Sequence, residues 1–129
     1  MLQWYQADGT TPLGRIPFGK VGPGDSYFAK NGEYVEVVLK NAGAESVENV
    51  VVELLAMLDY PAYEYVLVAE GDTQPGSEAF VTHTDPPLNV GLLLAGGSAR
   101  LWFDCVVPAY APRGEAQRMQ VRAYGYEGA

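Results

Sequence analysis

The sequence predicts an all-β fold, a sandwich of seven to nine short antiparallel strands, and three observations carry that prediction. Apolar residues recur with a period of two in run after run, as they do on strands with one buried face. Turn formers separate the runs, with 15 Gly and 9 Pro spread along the chain. No run holds a helical period, and the spacing of strands and turns is nearly regular. At 129 residues, 48% hydrophobic and 19% charged, the chain is long enough for one domain with a single core.

Leu2 to Gln6 reads as a short strand closed by the turn Ala7-Asp8-Gly9-Thr10, with Trp4 expected in packing rather than at a ligand platform. Leu13 to Phe18 reads as another, with Pro17 marking an edge or a kink because proline offers no ladder donor. Residues 1–18 are therefore expected to form an N-terminal arm of edge strands, and residues 19–129 the sandwich domain. The run FGKVGPGDS that follows is rich in glycine, but no P-loop lysine pattern or helix start accompanies it. It reads as a tight corner.

The stretch Tyr34 to Leu58 organises the rest. Val35, Val37 and Leu39 alternate with Glu36, Val38 and Lys40, and Asn41 to Ser46 forms a polar connector. Val47 to Leu58 continues as a strand, since its Val-Val-Val run favours extended backbone over helix. Val50, Val52, Leu54, Ala56 and Leu58 share one face; Val51, Glu53, Leu55 and Met57 share the other.

Further strands are expected at Tyr63 to Ala69, Ala79 to Thr84, Leu88 to Leu94, Arg100 to Val107 and Gln117 to Tyr126. In the first of these, Tyr63, Tyr65, Leu67 and Ala69 are taken as one face and Glu64, Val66 and Val68 as the other. Leu101, Phe103, Cys105 and Val107 should point inward, opposite Trp102, Asp104 and Val106. The predicted core is Leu39, Val52, Leu67, Leu101, Phe103 and Val121.

Charge and chemistry narrow the function. Asp and Glu outnumber Lys and Arg 16 to 8, giving a net charge of −8 and a pI near 4.4. Nucleic-acid binding leaves a basic footprint, so no nucleic-acid partner is expected. No apolar run approaches the length of a membrane span, and MLQWYQADG lacks the charged and apolar regions of a signal peptide, so neither a membrane nor a secretory route is expected. One Cys and one His cannot supply a structural zinc site. Glu70, Asp72, Glu78 and Asp85 show no calcium-loop spacing and read as solvated loop acids. His83 sits in no nucleophile motif, and Cys105, facing the core, reads as a buried inert thiol. No catalytic residue, cofactor or metal is expected.

Three segments carry a resemblance. The tail LLLAGGSARLWFDCVVPAYAPRGEAQRMQVRAYG resembles the closing half of an immunoglobulin-like module of the NEW3 or CARDB sort, at Leu94, Gly97, Ser98, Val107, Pro108 and Gly114. YVEVVLKNAGAESVENVVVEL is similar to the opening half, whose mark is a strand ending in Asn-x-Gly, here Asn41 and Gly43. IPFGKVGPGDS resembles the turn that leads into immunoglobulin-like domains of bacteriophage virion proteins, at Phe18, Gly19, Val21, Pro23 and Gly24. The likeness spans about residues 16 to 126. The chain departs from antibody domains in lacking their Cys…Trp…Cys framework.

The resemblance implies an immunoglobulin-like β-sandwich serving as a virion structural protein, a capsid decoration or a neck or tail accessory, assembled in a host cytoplasm. Its partners would be other virion proteins of the capsid or tail, and copies of itself in a homo-oligomer. The candidate interface is Trp102, Tyr124, Tyr126, Leu55, Met57 and Trp4, because the second strand faces carry more apolar surface than a solitary sandwich exposes. The alternative is a carbohydrate- or cell-surface-binding module using Tyr60, Tyr63, Tyr65, Trp102, Tyr110, Tyr124 and Tyr126.

Overall fold

A computed structural model describes residues 1–19, 21–56, 65–81, 88–109 and 119–127. Seven strands are present among them: β1 (Leu2–Gln6), β2 (Val35–Asn41), β3 (Val47–Ala56), β4 (Val66–Glu70), β5 (Leu88–Leu93), β6 (Ser98–Cys105) and β7 (Met119–Glu127). They form two antiparallel sheets, a four-stranded one in the order β1-β2-β6-β4 and a three-stranded one in the order β5-β3-β7. The fold is an all-β sandwich whose core lies between them.

Alternation explains which side chains fill that core. β2 contributes Val35, Val37 and Leu39, and β6 contributes Ala99, Leu101 and Phe103, paired across the ladder so that both strands turn the same face inward. Leu39, Leu101 and Phe103 are fully buried. From the facing sheet come Val47, Val50, Val52 and Leu93, with Val121 and Ala123 of β7 packed half-buried against them. Cys105 joins the cluster from its rim.

Leu67 is a correction. The core takes Val66 and Val68, which stand across from Cys105 and Phe103, while Leu67 stands across from Asp104 on the outer face and is half-buried. Every side chain from Val66 to Ala69 is apolar, so a period of two cannot tell the faces apart there. The expected strand over Leu13 to Phe18 is also absent. Leu13 N–H donates to Trp4 C=O and Pro12 bridges Tyr5, covering the free edge of β1, but Pro12 and Pro17 supply no donors to extend the ladder. Of the strand expected at Ala79 to Thr84, a 3-10 turn over Ser77–Ala79 and an isolated bridge from Val81 to Val68 are seen; residues 82–84 lie outside the described residues.

A short helix, α1 (Tyr27–Asn31), was not expected. Ser26 caps its start by accepting from the Ala29 N–H, and Gly32 ends it at φ 74°, a left-handed conformation that suits glycine.

One buried polar residue ties the two sheets together. Asn41, at the end of β2, is fully buried, and its amide donates to Glu45 C=O at 2.7 Å and to Leu93 C=O of β5 at 3.0 Å. Its Oδ1 accepts from Gly43 N–H at 3.1 Å and from the Met1 ammonium at 3.2 Å. Every hydrogen-bonding position of the amide is used, which is what burying it requires.

Candidate interaction surface

β3 is the centre of the three-stranded sheet, and it bulges. Val47 and Val50 both face the core, so Glu48 and Asn49 are pushed outward between them, with Asn49 at φ 52°. The neighbouring strands accommodate this with glycine. Gly91 of β5, opposite Val50, has φ 89°. Gly125 of β7 runs so close that a Cβ there would lie 2.6 Å from Glu48 C=O and 2.8 Å from Val47 Cγ1.

The register then sets the outer face of this sheet. Tyr126 stands across from Glu48, Tyr124 from Val51, and Arg122 from Glu53. Tyr124 is 44% exposed and Tyr126 74%, and Leu92 on β5 adds an exposed aliphatic side chain. The Tyr124 hydroxyl donates to Glu53 Oε2 at 3.4 Å. Two tyrosines two residues apart on one strand thus lie side by side on an open face.

The outer face of the four-stranded sheet is built differently. Val38, Ala69, Trp102 and Asp104 point away from the core, yet each is buried. Trp102 donates its indole N–H to Gly71 C=O at 2.8 Å. Asp104 accepts from the Phe28 N–H at the start of α1, at 3.1 Å, and so holds the helix against the sheet. Phe28 stacks on Tyr34 at 4.4 Å, and Phe80 packs on Tyr34 at 4.5 Å. Burial, then the charges of Asp104 and Glu78, push the Tyr34 phenol above its ordinary value. Toward β1, Arg100 bonds Glu36 and the Ala7 carbonyl, and Lys40 lies over the Tyr5 ring while donating to Gly9 C=O.

The six expected interface residues therefore separate. Tyr124 and Tyr126 are adjacent and exposed. Leu55 lies on β3 across from Gln120, and Met57 falls outside the described residues. Trp102 is removed from the exposed set by the second layer over its face. Trp4 turns inward, its ring edge-on to Phe103 at 6.4 Å. Of the tyrosines considered for carbohydrate, Tyr60, Tyr63 and Tyr110 lie outside the described residues, and Tyr65 is half-buried.

The Cys105 thiol is pushed up to about 11, by burial first and by Asp104 second, which makes it a poor nucleophile near neutral pH. Burial, with Asp72 beside it, raises the Glu70 carboxyl. His83 and Asp85 fall outside the described residues. Among the described residues, no three His, Cys, Asp or Glu side chains group as metal ligands, and no helix is long and apolar enough to cross a membrane.

Sequence reasoning missed the layer made by Phe28, Tyr34 and Phe80, and with it the role of Asp104. The available signal was Ser26 and Gly32 bracketing one helical turn.

The chain matches no family model and no curated protein. Its class is set by its own architecture: a two-sheet all-β sandwich with one outer face covered and the other bearing exposed tyrosines.

Proposed function

We propose that this protein is a non-enzymatic structural component of a bacteriophage virion, an immunoglobulin-like module that docks on a capsid or tail lattice through the outer face of its three-stranded sheet. The observation that carries the docking role is the exposed pair Tyr124 and Tyr126, with Leu92 on the same sheet. Tyrosine provides a large amphipathic contact area and is enriched at protein interfaces. Cys105, its thiol pushed up to about 11 by burial, offers no ready nucleophile near neutral pH.

The choice of a virion rests on the sequence resemblance, and the placement of its marker residues supports treating them as one unit. Asn41 N–H donates to Gly97 C=O, Gly97 N–H to Leu94 C=O, and Gly43 N–H to the Asn41 side chain. The two halves that carry the likeness therefore meet at one end of the sandwich. The leading turn meets the closing half at the other end of β6, where Gly24 N–H donates to Val107 C=O at 2.8 Å.

The test is co-sedimentation with purified virions of the phage that encodes the chain. Wild type should bind, and a Tyr124→Ser/Tyr126→Ser double variant should bind at least about tenfold more weakly with unchanged β-rich circular dichroism. Wild-type protein that fails to join particles, or that is captured by glycans instead, would overturn the reading.

A further inference from the structure

We propose that the surface received by this face is a positively charged, arginine-bearing protein surface; the proposal rests on the docking role of Tyr124 and Tyr126 and adds the chemistry of the partner. Two carboxylates are interleaved with the exposed aromatic rings. Glu48 stands directly across from Tyr126, and Glu53 accepts the hydroxyl of Tyr124. The bulge in β3 is what brings Glu48 and Asn49 forward beside Tyr126, a local use of a bulge to redirect side chains.

A guanidinium satisfies both parts of this pattern at once. It stacks on a tyrosine ring and donates a planar pair of N–H groups to a carboxylate. Lysine, a hydrated point charge without a planar fork, matches the pattern less well. In the register Arg122 pairs with Glu53, whereas Glu48 pairs with Tyr126, so Glu48 is the carboxylate set directly across from an exposed aromatic ring.

The charge of the whole molecule separates a basic partner from a second copy. With 16 acidic against 8 basic residues, two copies approaching each other both carry a net charge of −8. That repulsion opposes self-association and draws in a surface of opposite sign. On the outer face of the opposite sheet, Arg100 is already paired with Glu36.

The experiment titrates full-length protein with a short arginine-rich peptide, its lysine counterpart and its glutamate counterpart, followed by backbone NMR. The arginine peptide should shift the resonances of Glu48, Asn49, Tyr124 and Tyr126 and bind more tightly than the lysine peptide. The glutamate peptide should leave them unmoved. Binding should weaken about tenfold in Glu48→Lys, and by a similar factor on raising salt from low to high ionic strength. A charge-matched control, Asp72→Lys, lies beside the Gly71 carbonyl bonded by Trp102 on the opposite sheet and should stay within about twofold of wild type. Equal losses in Glu48→Lys and the control, or shifts spread over all the acids, would overturn the proposal in favour of diffuse attraction. Self-association through the same face at high concentration, lost in Tyr124→Ser/Tyr126→Ser, would overturn it in favour of a second copy. Protein that joins virions yet ignores the arginine peptide would refute the partner chemistry and leave the docking role standing; failure in both assays would remove both.

Discussion

The two outer faces of this sandwich begin from similar sequence and end differently. Each has large aromatic residues pointing away from the core, Trp102 on β6 and Tyr124 and Tyr126 on β7. Trp102 is 9% exposed and Tyr126 is 74% exposed. The four-stranded sheet carries a second layer, made by α1, the 3-10 turn and the loop at Gly71, which satisfies the indole N–H and the Asp104 carboxylate. The described part of the three-stranded sheet carries none over its tyrosines. An outward aromatic is thus part of the folding energy on one sheet and available for contact on the other.

Mutations can break that contrast. The reference is the core itself: Leu101→Ala should cost about 2–5 kcal/mol in denaturant unfolding, the loss expected for a buried leucine. A midpoint unchanged from wild type would mean that β6 faces the other way. On the covered face, Trp102→Ala should cost about 3 kcal/mol, through lost packing and an unanswered Gly71 carbonyl. On the open face, Tyr124→Ser with Tyr126→Ser should stay within about 0.5 kcal/mol per site. Comparable losses on both faces would erase the distinction.

Cys105 sharpens the comparison at the rim of the core. Thiol labelling at mildly alkaline pH should be slow in the native protein and fast after unfolding, because a pKa of about 11 leaves little thiolate. Rapid native labelling would indicate a different register for β6.

The smallest effect belongs to the turn after β1. Asp8 accepts from the Thr11 hydroxyl and from the backbone N–H groups of Thr11 and Thr10, and these bonds lower its pKa from 3.8 to about 2. A depressed carboxylate stabilises the fold fully above its unfolded value, and that contribution fades as pH falls from 3.8 through 2. NMR titration of the Asp8 carboxyl should show the low midpoint, and Thr11→Val should move it back toward the ordinary value.

Legibility followed the contrast between polar and apolar positions. The inner faces of β2 and of β6 as far as Cys105 match the expectation, because Glu36, Lys40, Arg100 and Asp104 punctuate the outer ones. Val107, expected inward, lies beyond the end of β6 and outside the core cluster. The outward positions of Tyr124 and Tyr126 were legible for the same reason, since Val121 and Ala123 take the inner one. β4 departs from the expected facing because Val66 to Ala69 offers no polar residue to mark a face. The bulge at Glu48 and Asn49 left the expected parity of Val50 and Val52 intact while adding Val47 to the core, a shift that periodicity does not register.

By itself, the sequence determined that the chain would form strands with two distinct faces, closed by glycine and proline turns, and that it would carry an acidic surplus. Only the tertiary structure decided which outward face would be covered. Phe28 and Asp104 are 76 residues apart, and their bond brings α1 over the four-stranded sheet. A period of two reports that alternate side chains need a dry neighbour; it carries no information about which distant segment supplies one.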